Sequence, residues 1–289
     1  MNKAAFFTVV YPGVERYLND FLSSLSHQSE KNFNLYIFND GLSTLEVYLK
    51  PYRAYLDYTI VNVRASPVKI REQGINFLID RGYEYIIFGD SDDYFSPDRV
   101  ELNIELLGRY DVVVNELSLT NQDGQLVEHN YLSKRLKNGQ SVECSYIREK
   151  NLFGLSNTAI RTSNLGKVSF PDYVIAVDWL LFSLLLNLGR EAIFTSKATT
   201  HYRQHVSNTV GMRKFSKQGL LRGVQVKSKH YKALAEVDDQ YLILSDKFEQ
   251  LDIEINIAPK ALDLLYLQII EKDIKNPLWW ELIQLPESL

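Results

Sequence analysis

The sequence is short of cysteine, of long apolar runs and of excess positive charge. Its 289 residues include a single cysteine, Cys144, so no disulfide can form within the chain, and a reducing compartment is favoured. No stretch approaches the roughly 18 apolar residues that a membrane-spanning helix needs. Pro12-Gly13 interrupts the apolar run near the N-terminus, which argues against a signal peptide. A formal net charge of -4 does not favour a nucleic-acid partner. We therefore expect a cytoplasmic protein, with surface attachment to a membrane left open.

The composition that is present is that of an ordinary globular protein. Hydrophobic residues make up 45% of the chain and charged residues 24%, which is enough apolar material for a substantial core. Aromatic content is 12%, including 18 Tyr, and suits sugar or base stacking as well as core packing. The length allows one large domain, or one domain with an appendage.

The first half of the chain alternates short apolar runs with segments of helical periodicity. The runs predicted as strands are 4–10, 33–38, 58–63 and 83–88. This alternation predicts an α/β fold with a mostly parallel mixed sheet flanked by helices. Ligands of such sheets bind outside the carboxyl ends of the strands. The residues that follow the strands should therefore lie along one edge, namely Val10, Tyr11, Asn39, Asp40, Asp90, Asp92 and Asp93.

The second half is predicted from the same signals. Around "NQDG" we expect a hairpin of 111–120 and 125–132, followed by a polar mobile loop over 133–150, a strand over 156–162, an apolar helix over 177–189 and a strand over 191–205. Gly189 is the expected C-cap of that helix. From about Phe215 the pattern is helical, so the predicted domains are 1–212 and a C-terminal helical region, 213–289.

Three aspartates, Asp90, Asp92 and Asp93, follow the fourth predicted strand within four positions. Two carboxylates at i and i+2 can converge on a divalent cation through the oxygen ligands that Mg²⁺ and Mn²⁺ prefer. A solvated acidic turn is the alternative, and the position after a buried strand adds weight to the cation site. The next residues predict a helix start with Ser96 as N-cap and Pro97 at the first helical position, and Asp93 leads into that cap.

Three further side chains are candidates for chemistry. Asp40 could accept a hydrogen bond from a nucleobase, or form a plain turn. Arg71 could bind a diphosphate with its planar fork, or lie solvated on its helix. Asp178 stands near the start of the apolar helix beside Trp179, where the helix dipole lowers its pKa and burial raises it. It could act as a general base on a sugar hydroxyl, or be a simple helix-terminal charge.

The stretch "HYRQHVSNTVG" begins at residue 201 and contains two histidines four residues apart. The strand-like residues before it argue against a helical two-histidine zinc site. His205 could complete a metal site begun by Asp92, and Arg203 could neutralise phosphate. Structural histidines are the alternative.

Four blocks, in this order along about residues 4–211, resemble the family 2 glycosyltransferases. They are "FFTVVYPGVERYLNDFLSSLSHQSEKNFNLYIFNDGL", "IREQGINFLIDRGYEYIIFGDSDDYFSP", "VDWLLF" and "YRQHVSN". The resemblance implies the GT-A (Rossmann-like) fold and inverting transfer of a sugar from a nucleotide donor, with Mn²⁺ or Mg²⁺. It implies that Val10, Tyr11, Asp40, Arg71, Asp90 and Arg203 bind the nucleotide donor, that Asp92 and His205 hold the metal, and that Asp178 is the catalytic base. Asp40 would contact the nucleobase, Arg71 the diphosphate, and Asp90 the ribose or the metal's water shell.

The chain departs from the family pattern at two positions. Val177 stands where the family often has Glu before the catalytic Asp, which weakens the assignment of Asp178 as the base. Glu72 stands where the family often has Asn after the Arg. Both departures leave the sugar preference open.

The predicted function is transfer of a sugar, from a UDP-sugar by preference, to a glycan or lipid-linked acceptor in bacterial surface polysaccharide synthesis. One alternative is a non-catalytic nucleotide-sugar binder or assembly partner. A second is a sugar nucleotidyltransferase, although "VVYPGVERY" lacks the expected Gly-rich phosphate loop.

The C-terminal region lies outside the resemblance. Its segment 260–285 is amphipathic and contains Trp279-Trp280, which could meet a membrane interface, close a homo-oligomer or pack onto its own domain. Basic residues cluster upstream of it, between 213 and 232. They could meet anionic lipid at the inner face of the cell membrane, or form a solvated helix face.

Overall fold

A computed structural model describes residues 3–204, 216–270 and 279–283. The strands are Ala4–Val10 (β1), Phe33–Asn39 (β2), Tyr58–Asn62 (β3), Tyr85–Phe88 (β4), Tyr94–Phe95 (β5), Val112–Thr120 (β6), Leu126–Glu128 (β7), Thr158–Arg161 (β8) and Ala192–Arg203 (β9). The helices are Glu15–Ser26 (α1), Leu45–Leu49 (α2), Pro67–Asp80 (α3), Arg99–Leu107 (α4), Cys144–Ile147 (α5), Val177–Asn187 (α6), Lys217–Leu234 (α7), Asp239–Ile257 (α8), Pro259–Ile270 (α9) and Trp279–Leu282 (α10). Short 3-10 turns cover Lys50–Tyr52, Leu132–Lys134 and Leu155–Asn157.

The described strands form one mixed sheet of order β3-β2-β1-β4-β8-β6-β9-β5, with β7 beside β6. β3, β2, β1 and β4 run parallel to one another. β8 lies antiparallel between β4 and β6, whereas β9 is parallel to β6 and antiparallel to β5. The predicted α/β architecture, with helices on a mixed sheet and a helical C-terminal region, is confirmed. The predicted hairpin is also present, because β6 and β7 pair antiparallel.

Both faces of the sheet are buried, because successive side chains of the apolar strands point to opposite sides. From β1, Phe6 packs with Phe21 of α1 on one side. Its neighbour Phe7 packs with Phe38 and Phe88 on the other side. The core on the Phe7 side of the sheet continues through α6 into the C-terminal helices. The apolar cores on either side of residue 212 are therefore contiguous.

The start of α4 differs from the prediction. The helix begins at Arg99 with Asp98 at the N-cap position, so Ser96 as N-cap is wrong. Ser96 instead accepts a hydrogen bond from the Thr199 N–H at 2.9 Å and donates to Asp98 Oδ1 at 2.7 Å. Ser96 thus joins this turn to β9, three residues before the first residue of the helix.

Residues 133–150 are packed against the protein, rather than forming the mobile loop that their polarity predicts. Leu136, Val142 and Ile147 are buried. The buried Glu116 of β6 accepts hydrogen bonds from the Leu132 N–H at 2.7 Å and the Ser133 N–H at 3.0 Å. A few well-spaced apolar residues and one buried carboxylate therefore hold a segment whose average composition is polar.

The last described helix, α10, packs onto its own chain. Trp280 is buried, and Arg135 donates to both oxygens of Glu281, at 2.7 and 2.9 Å. The amine of Lys227 in α7 donates to the Ile283 carbonyl at 2.6 Å. For Trp280, packing against its own chain is thus the alternative that the structure shows. None of the helices that the structure describes combines the length and hydropathy needed to cross a bilayer.

Candidate active site

A backbone hydrogen bond joins the carboxyl ends of β1 and β2, where the sequence predicts nucleotide-binding residues. Val10 is buried, and its carbonyl accepts a hydrogen bond from the Asp40 N–H at 2.8 Å. Tyr11 follows with 39% of its surface exposed. Asp40 therefore stands beside the end of β1, at the edge that the strand order predicts.

Arg64 is a neighbour of Asp40 that sequence reasoning missed. Its guanidinium lies 4.0 Å from the Asp40 carboxylate, and it is largely exposed. Gly41, at φ +88°, leaves room for it, since a Cβ there would come within 2.4 Å of the guanidinium. Arg64 comes two residues after β3, so the rule applied to the ends of the other strands could have found it.

A glycine sets the position of the aspartate turn after β4. A Cβ on Gly89 would meet the Phe6 ring at 2.5 Å and the Phe95 ring at 2.7 Å, so only glycine lets the chain pass this close to the core. The Ser91 hydroxyl then donates to the Val9 carbonyl at 2.7 Å, and the Asp93 N–H donates to the Asp90 carbonyl at 3.2 Å. The turn is thereby tied to β1.

Asp93 is a buried anchor, and its predicted place at the entry to a helix cap is wrong. One carboxylate oxygen accepts the Arg203 N–H at 2.7 Å, and the other accepts the Ser156 hydroxyl. Burial raises the pKa of Asp93 well above its usual range, and the charges of Asp92 and Asp90 add to that rise. Asp93 therefore ties the turn after β4 to the end of β9.

The pKa of Asp90 is raised even though a cation lies nearby. The Arg71 guanidinium lies 3.9 Å from its carboxylate. Burial and the neighbouring Asp92 nevertheless outweigh that cation and raise the pKa of Asp90 to about 6. The charge of Asp92 thus acts on Asp90 in the same direction as burial, and a bound cation would oppose both effects.

The donor set fits a hard divalent cation. Asp90 and Asp92 offer carboxylate oxygens, and Mg²⁺ typically takes only one or two carboxylates, with water and substrate phosphate completing its shell. Over residues 3–204, 216–270 and 279–283, no three His, Cys, Asp or Glu side chains converge as a metal-binding group. His205, the other predicted ligand, lies outside the described residues.

The charges of Asp90, Asp92 and Arg71 also affect the hydroxyl of Tyr11. Burial raises the pKa of its hydroxyl, followed by the effects of Asp92 and Asp90, while Arg71 opposes them. The hydroxyl therefore stays protonated over the physiological range. It remains a hydrogen-bond donor at the predicted nucleotide edge.

Asp178 lies in the first turn of α6 with both carboxylate oxygens engaged. One accepts the Trp179 N–H at 2.8 Å, and the other accepts Asn151 Nδ2 at 3.2 Å. Burial raises the pKa of Asp178 and outweighs these bonds and the charge of Arg71, which lower it. Of the two opposing effects that the sequence left open, burial therefore prevails. Val177 packs into the core beside it.

Arg203 is placed differently from a free phosphate ligand. Its side chain is 2% exposed, and Nε donates to the Asp92 carbonyl at 2.8 Å. The two terminal nitrogens donate to the Gln122 carbonyl at 2.9 Å and to Asp20 at 2.7 Å. In this structure the guanidinium braces the aspartate turn. A phosphate contact would have to compete with these acceptors.

The departure at Glu72 has a structural role. Its carboxylate accepts the Phe170 N–H at 2.6 Å and the Lys69 amine at 2.9 Å, and Lys69 also donates to the Phe170 carbonyl at 2.8 Å. These bonds fix the segment that leads to Asp178 onto α3, the helix that carries Arg71. Glu72 therefore links the two sides of the candidate site.

The fold is shared with solved glycosyltransferases. Staphylococcus aureus TarS residues 1–349, in complex with UDP-GlcNAc, has a TM-score of 0.61 at 16% identity, covering 93% of this chain and 90% of that one. GalNAc-T7 with UDP, GalNAc and Mn²⁺ has a TM-score of 0.59 at 10% identity, covering 95% of this chain and 58% of that one. These likenesses establish a GT-A fold.

A curated relative agrees with the resemblance in the sequence. The dTDP-rhamnosyl transferase RfbG of Shigella flexneri is 25% identical over 260 residues, which span 79% of this chain and 84% of the relative. No protein-family model matches the chain. The resemblance to the family 2 glycosyltransferases, first drawn from four sequence blocks, is confirmed.

Proposed function

We propose that this chain transfers a sugar, with inversion, from a nucleoside diphosphate sugar to an acceptor hydroxyl. The observation that carries the proposal is the position of Arg71. Its guanidinium lies 3.9 Å from Asp90 and also lowers the pKa of Asp178, so that one cation faces both the aspartate turn and the candidate base. This arrangement stands at the carboxyl edge of a GT-A sheet, where ligands of such sheets bind.

We propose roles for the donor-binding residues along this edge. Asp40 accepts a nucleobase N–H, with Arg64 beside it. Asp90 would bind the ribose or approach the metal through water, and Arg71 and Tyr11 would bind the diphosphate. A UDP- or dTDP-sugar is the proposed donor, because solved neighbours bind UDP or UDP-GlcNAc and the curated relative is named a dTDP-rhamnosyl transferase. Arg203 joins them only if substrate displaces one of its present acceptors.

Asp92 would hold the metal, with His205 as a second ligand. A bound Mn²⁺ or Mg²⁺ would act as a Lewis acid toward the diphosphate leaving group. The protein's own contribution is to hold Asp92 in place. The Asp92 carbonyl accepts a hydrogen bond from Arg203 Nε at 2.8 Å, and this bond fixes the backbone of the turn.

Asp178 is the proposed general base. As the acceptor oxygen attacks the anomeric carbon, its proton passes to the Asp178 carboxylate. The bond to the diphosphate oxygen breaks, and its electron pair leaves with the nucleoside diphosphate. Burial raises the pKa of Asp178, which makes the carboxylate a stronger base than an exposed one. General-base assistance of this kind typically contributes ~10²–10⁴-fold to the rate.

The acceptor side is proposed from the resemblance. It is a glycan or a lipid-linked saccharide in the synthesis of a bacterial surface polysaccharide, reached by a cytoplasmic enzyme with peripheral contact at the membrane. The C-terminal helical region, 213–289, is proposed as a unit added to the catalytic domain, 1–212. Contact with a second copy through it is an outcome that mass measurement in solution can test.

The test separates donor binding from chemistry. Thermal stabilisation by UDP, dTDP and their sugar nucleotides with Mn²⁺ identifies the donor, and titration calorimetry measures its affinity. Asp178→Asn should keep donor affinity and lose transfer, whereas Asp92→Ala should lose both. Asp246→Asn, an exposed acid on α8, is the matched control and should behave as the wild type.

Two results would contradict the proposal. Undiminished turnover by Asp178→Asn would remove the base assignment. Failure of every nucleotide to stabilise the wild type would favour a partner protein without catalytic activity.

A further inference from the structure

Asn151 meets the candidate base from a segment 27 residues earlier in the chain. Its Nδ2 donates to Asp178 Oδ2 at 3.2 Å, while the Trp179 N–H holds Oδ1 at 2.8 Å. With a donor on each oxygen, the carboxylate cannot turn about its Cβ–Cγ bond without breaking one of them. The plane of the Asp178 carboxylate is therefore fixed by groups outside its own side chain.

The orientation of the Asn151 amide has a cost. An ionised carboxylate accepts hydrogen bonds only, so the NH₂ group must face Asp178 and the amide oxygen must point away. That oxygen is buried and has no hydrogen-bond partner within the described parts of the chain. A buried acceptor left unpaired is destabilising, so this placement is not explained by folding alone.

The segment that carries Asn151 is held from two sides. Trp179 Nε1 of α6 donates to the Ile147 carbonyl at 2.9 Å, and the Tyr231 hydroxyl of α7 donates to the Arg148 carbonyl at 3.2 Å. His230 of α7 stacks on the Trp179 ring with centroids 3.7 Å apart. The C-terminal helix α7 thus contacts both the residue after Asp178 and the segment before Asn151.

We infer that Asn151 is a positioning residue for the Asp178 carboxylate, and that α7 holds the segment that presents it. The inference rests on the proposed function, since it assigns Asn151 a role only if Asp178 is the base. The Asn151 bond, together with the Trp179 N–H, fixes the plane in which the Asp178 carboxylate can accept a proton. The C-terminal helices are then part of the catalytic architecture.

The bond also has a consequence for pH dependence. The charged and titratable groups facing Asp178 are Arg71 of α3, Asp90 of the turn after β4 and Tyr202 of β9. A donor to the ionised carboxylate favours the charged form, so loss of the Asn151 donor raises the pKa of Asp178. The base then stays protonated to higher pH, and the acid limb of the rate profile moves upward.

Two variants remove the donor in different ways. Asn151→Ala removes the side chain, and Asn151→Asp keeps its shape while placing an acceptor against Asp178. We expect each to move the acid limb of nucleoside diphosphate release upward by about 0.5 pH unit or more. We also expect kcat to fall roughly tenfold, while KM for the sugar nucleotide stays within about twofold. The probe is whichever UDP- or dTDP-sugar the wild type turns over.

A direct titration makes the result independent of turnover. Carbon-13 labelling of aspartate carboxyls, with Asp178→Asn to assign the signal, reports the pKa of Asp178 in each variant. Tyr231→Phe, which removes only the hydroxyl from the α7 contact, should raise that pKa by a smaller amount. Asn34→Ala removes a hydrogen bond of the same amide-to-carboxylate kind, from Asn34 near the start of β2 to Asp57 just before β3, and should leave the pKa of Asp178 unchanged.

The outcomes separate the two proposals. An unchanged Asp178 titration in both Asn151 variants overturns the inference, whether or not the wild type is active. If the titration shifts but no sugar nucleotide is ever turned over, the contact stands and the proposed function fails. A kcat loss equal in Asn151→Ala and Asn34→Ala, without a shift of the acid limb, would mean a structural role only and would also overturn the inference.

Discussion

Arg203 offers a sharp test because the sequence and the structure give it different tasks. As a phosphate ligand it would matter only with nucleotide bound. As placed, its three guanidinium nitrogens donate to the Asp92 carbonyl, the Gln122 carbonyl and Asp20. Arg203→Lys keeps the charge and removes the fork, since an ammonium can serve about one of these positions.

The magnitude follows from the two bonds to the backbone carbonyls of Asp92 and Gln122. A hydrogen bond with a charged partner contributes about 1.5–3 kcal/mol, so losing one and weakening the other costs about 3 kcal/mol. Asp20 is 55% exposed, and solvent screening makes that ion pair worth less than about 1 kcal/mol. With an unfolding entropy of about 2.1 cal/mol/K per residue over 289 residues, 3 kcal/mol lowers Tm by about 5 °C.

The assay is thermal unfolding of the metal-free protein in chelator, without nucleotide. Arg203→Lys is compared with Arg109→Lys, an exposed arginine after α4, which should melt with the wild type. Tm within 1 °C of the wild type, together with a loss of nucleotide affinity, would refute the bracing role. That result would restore the phosphate-binding interpretation.

Two further predictions concern buried charges elsewhere. Burial lowers the pKa of Lys227 to about 8, while an unfolded lysine titrates near 10.5, so the unfolded state binds more protons between these values. The free energy of unfolding of the wild type, relative to that of Lys227→Met, should therefore rise by about 3 kcal/mol between pH 7 and 10.5. Urea unfolding at several pH values measures this difference. A difference that does not change with pH would contradict the prediction. Glu72→Ala removes two charge-assisted bonds at the Phe170 segment and should lower Tm by about 3 °C, whereas Glu72→Gln keeps one acceptor and should lose about half as much. Equal melting of both Glu72 variants and the wild type would show that the segment is held without this side chain.

The parallel strands were predictable because their signal is local. An apolar run of strand length predicts a strand whatever its partner in the sheet. The first four predicted runs coincide with β1 to β4, with small differences at the ends. The common edge followed from topology alone. It brought Val10, Asp40 and Asp90 together before any contact was known.

The positions that sequence reasoning misjudged depend on distant partners. Asp93 sits in a run of acids like any surface turn, and only Ser156 and the Arg203 backbone make it a buried anchor. Ser96 has the residue type of a helix cap, but the Thr199 N–H occupies its hydroxyl. Such partners lie dozens of residues away, and no local pattern records them.

Asn151 is a further case of the same limit. It lies in a polar stretch with no periodicity, and its value comes from a single contact with Asp178. Glu72 was noticed only as a departure from a family pattern. Its carboxylate proves to bind the Phe170 N–H, which no spacing rule would have suggested.

The packing of α10 has a consequence for how the protein is made. Translation delivers every proposed donor-binding residue before α7 emerges, and chains fold progressively from the N-terminal side. Tyr231 and His230, which contact the Arg148 carbonyl and the Trp179 ring, are made later as part of α7. α7 is in turn bound to the segment after α10 through the Lys227 hydrogen bond to the Ile283 carbonyl. A nascent chain halted near residue 212 would carry the acids without the helix that holds the Asn151 segment. On the proposed function, the Asn151 segment would therefore reach its catalytic placement only after α7 and the Ile283 segment have been made.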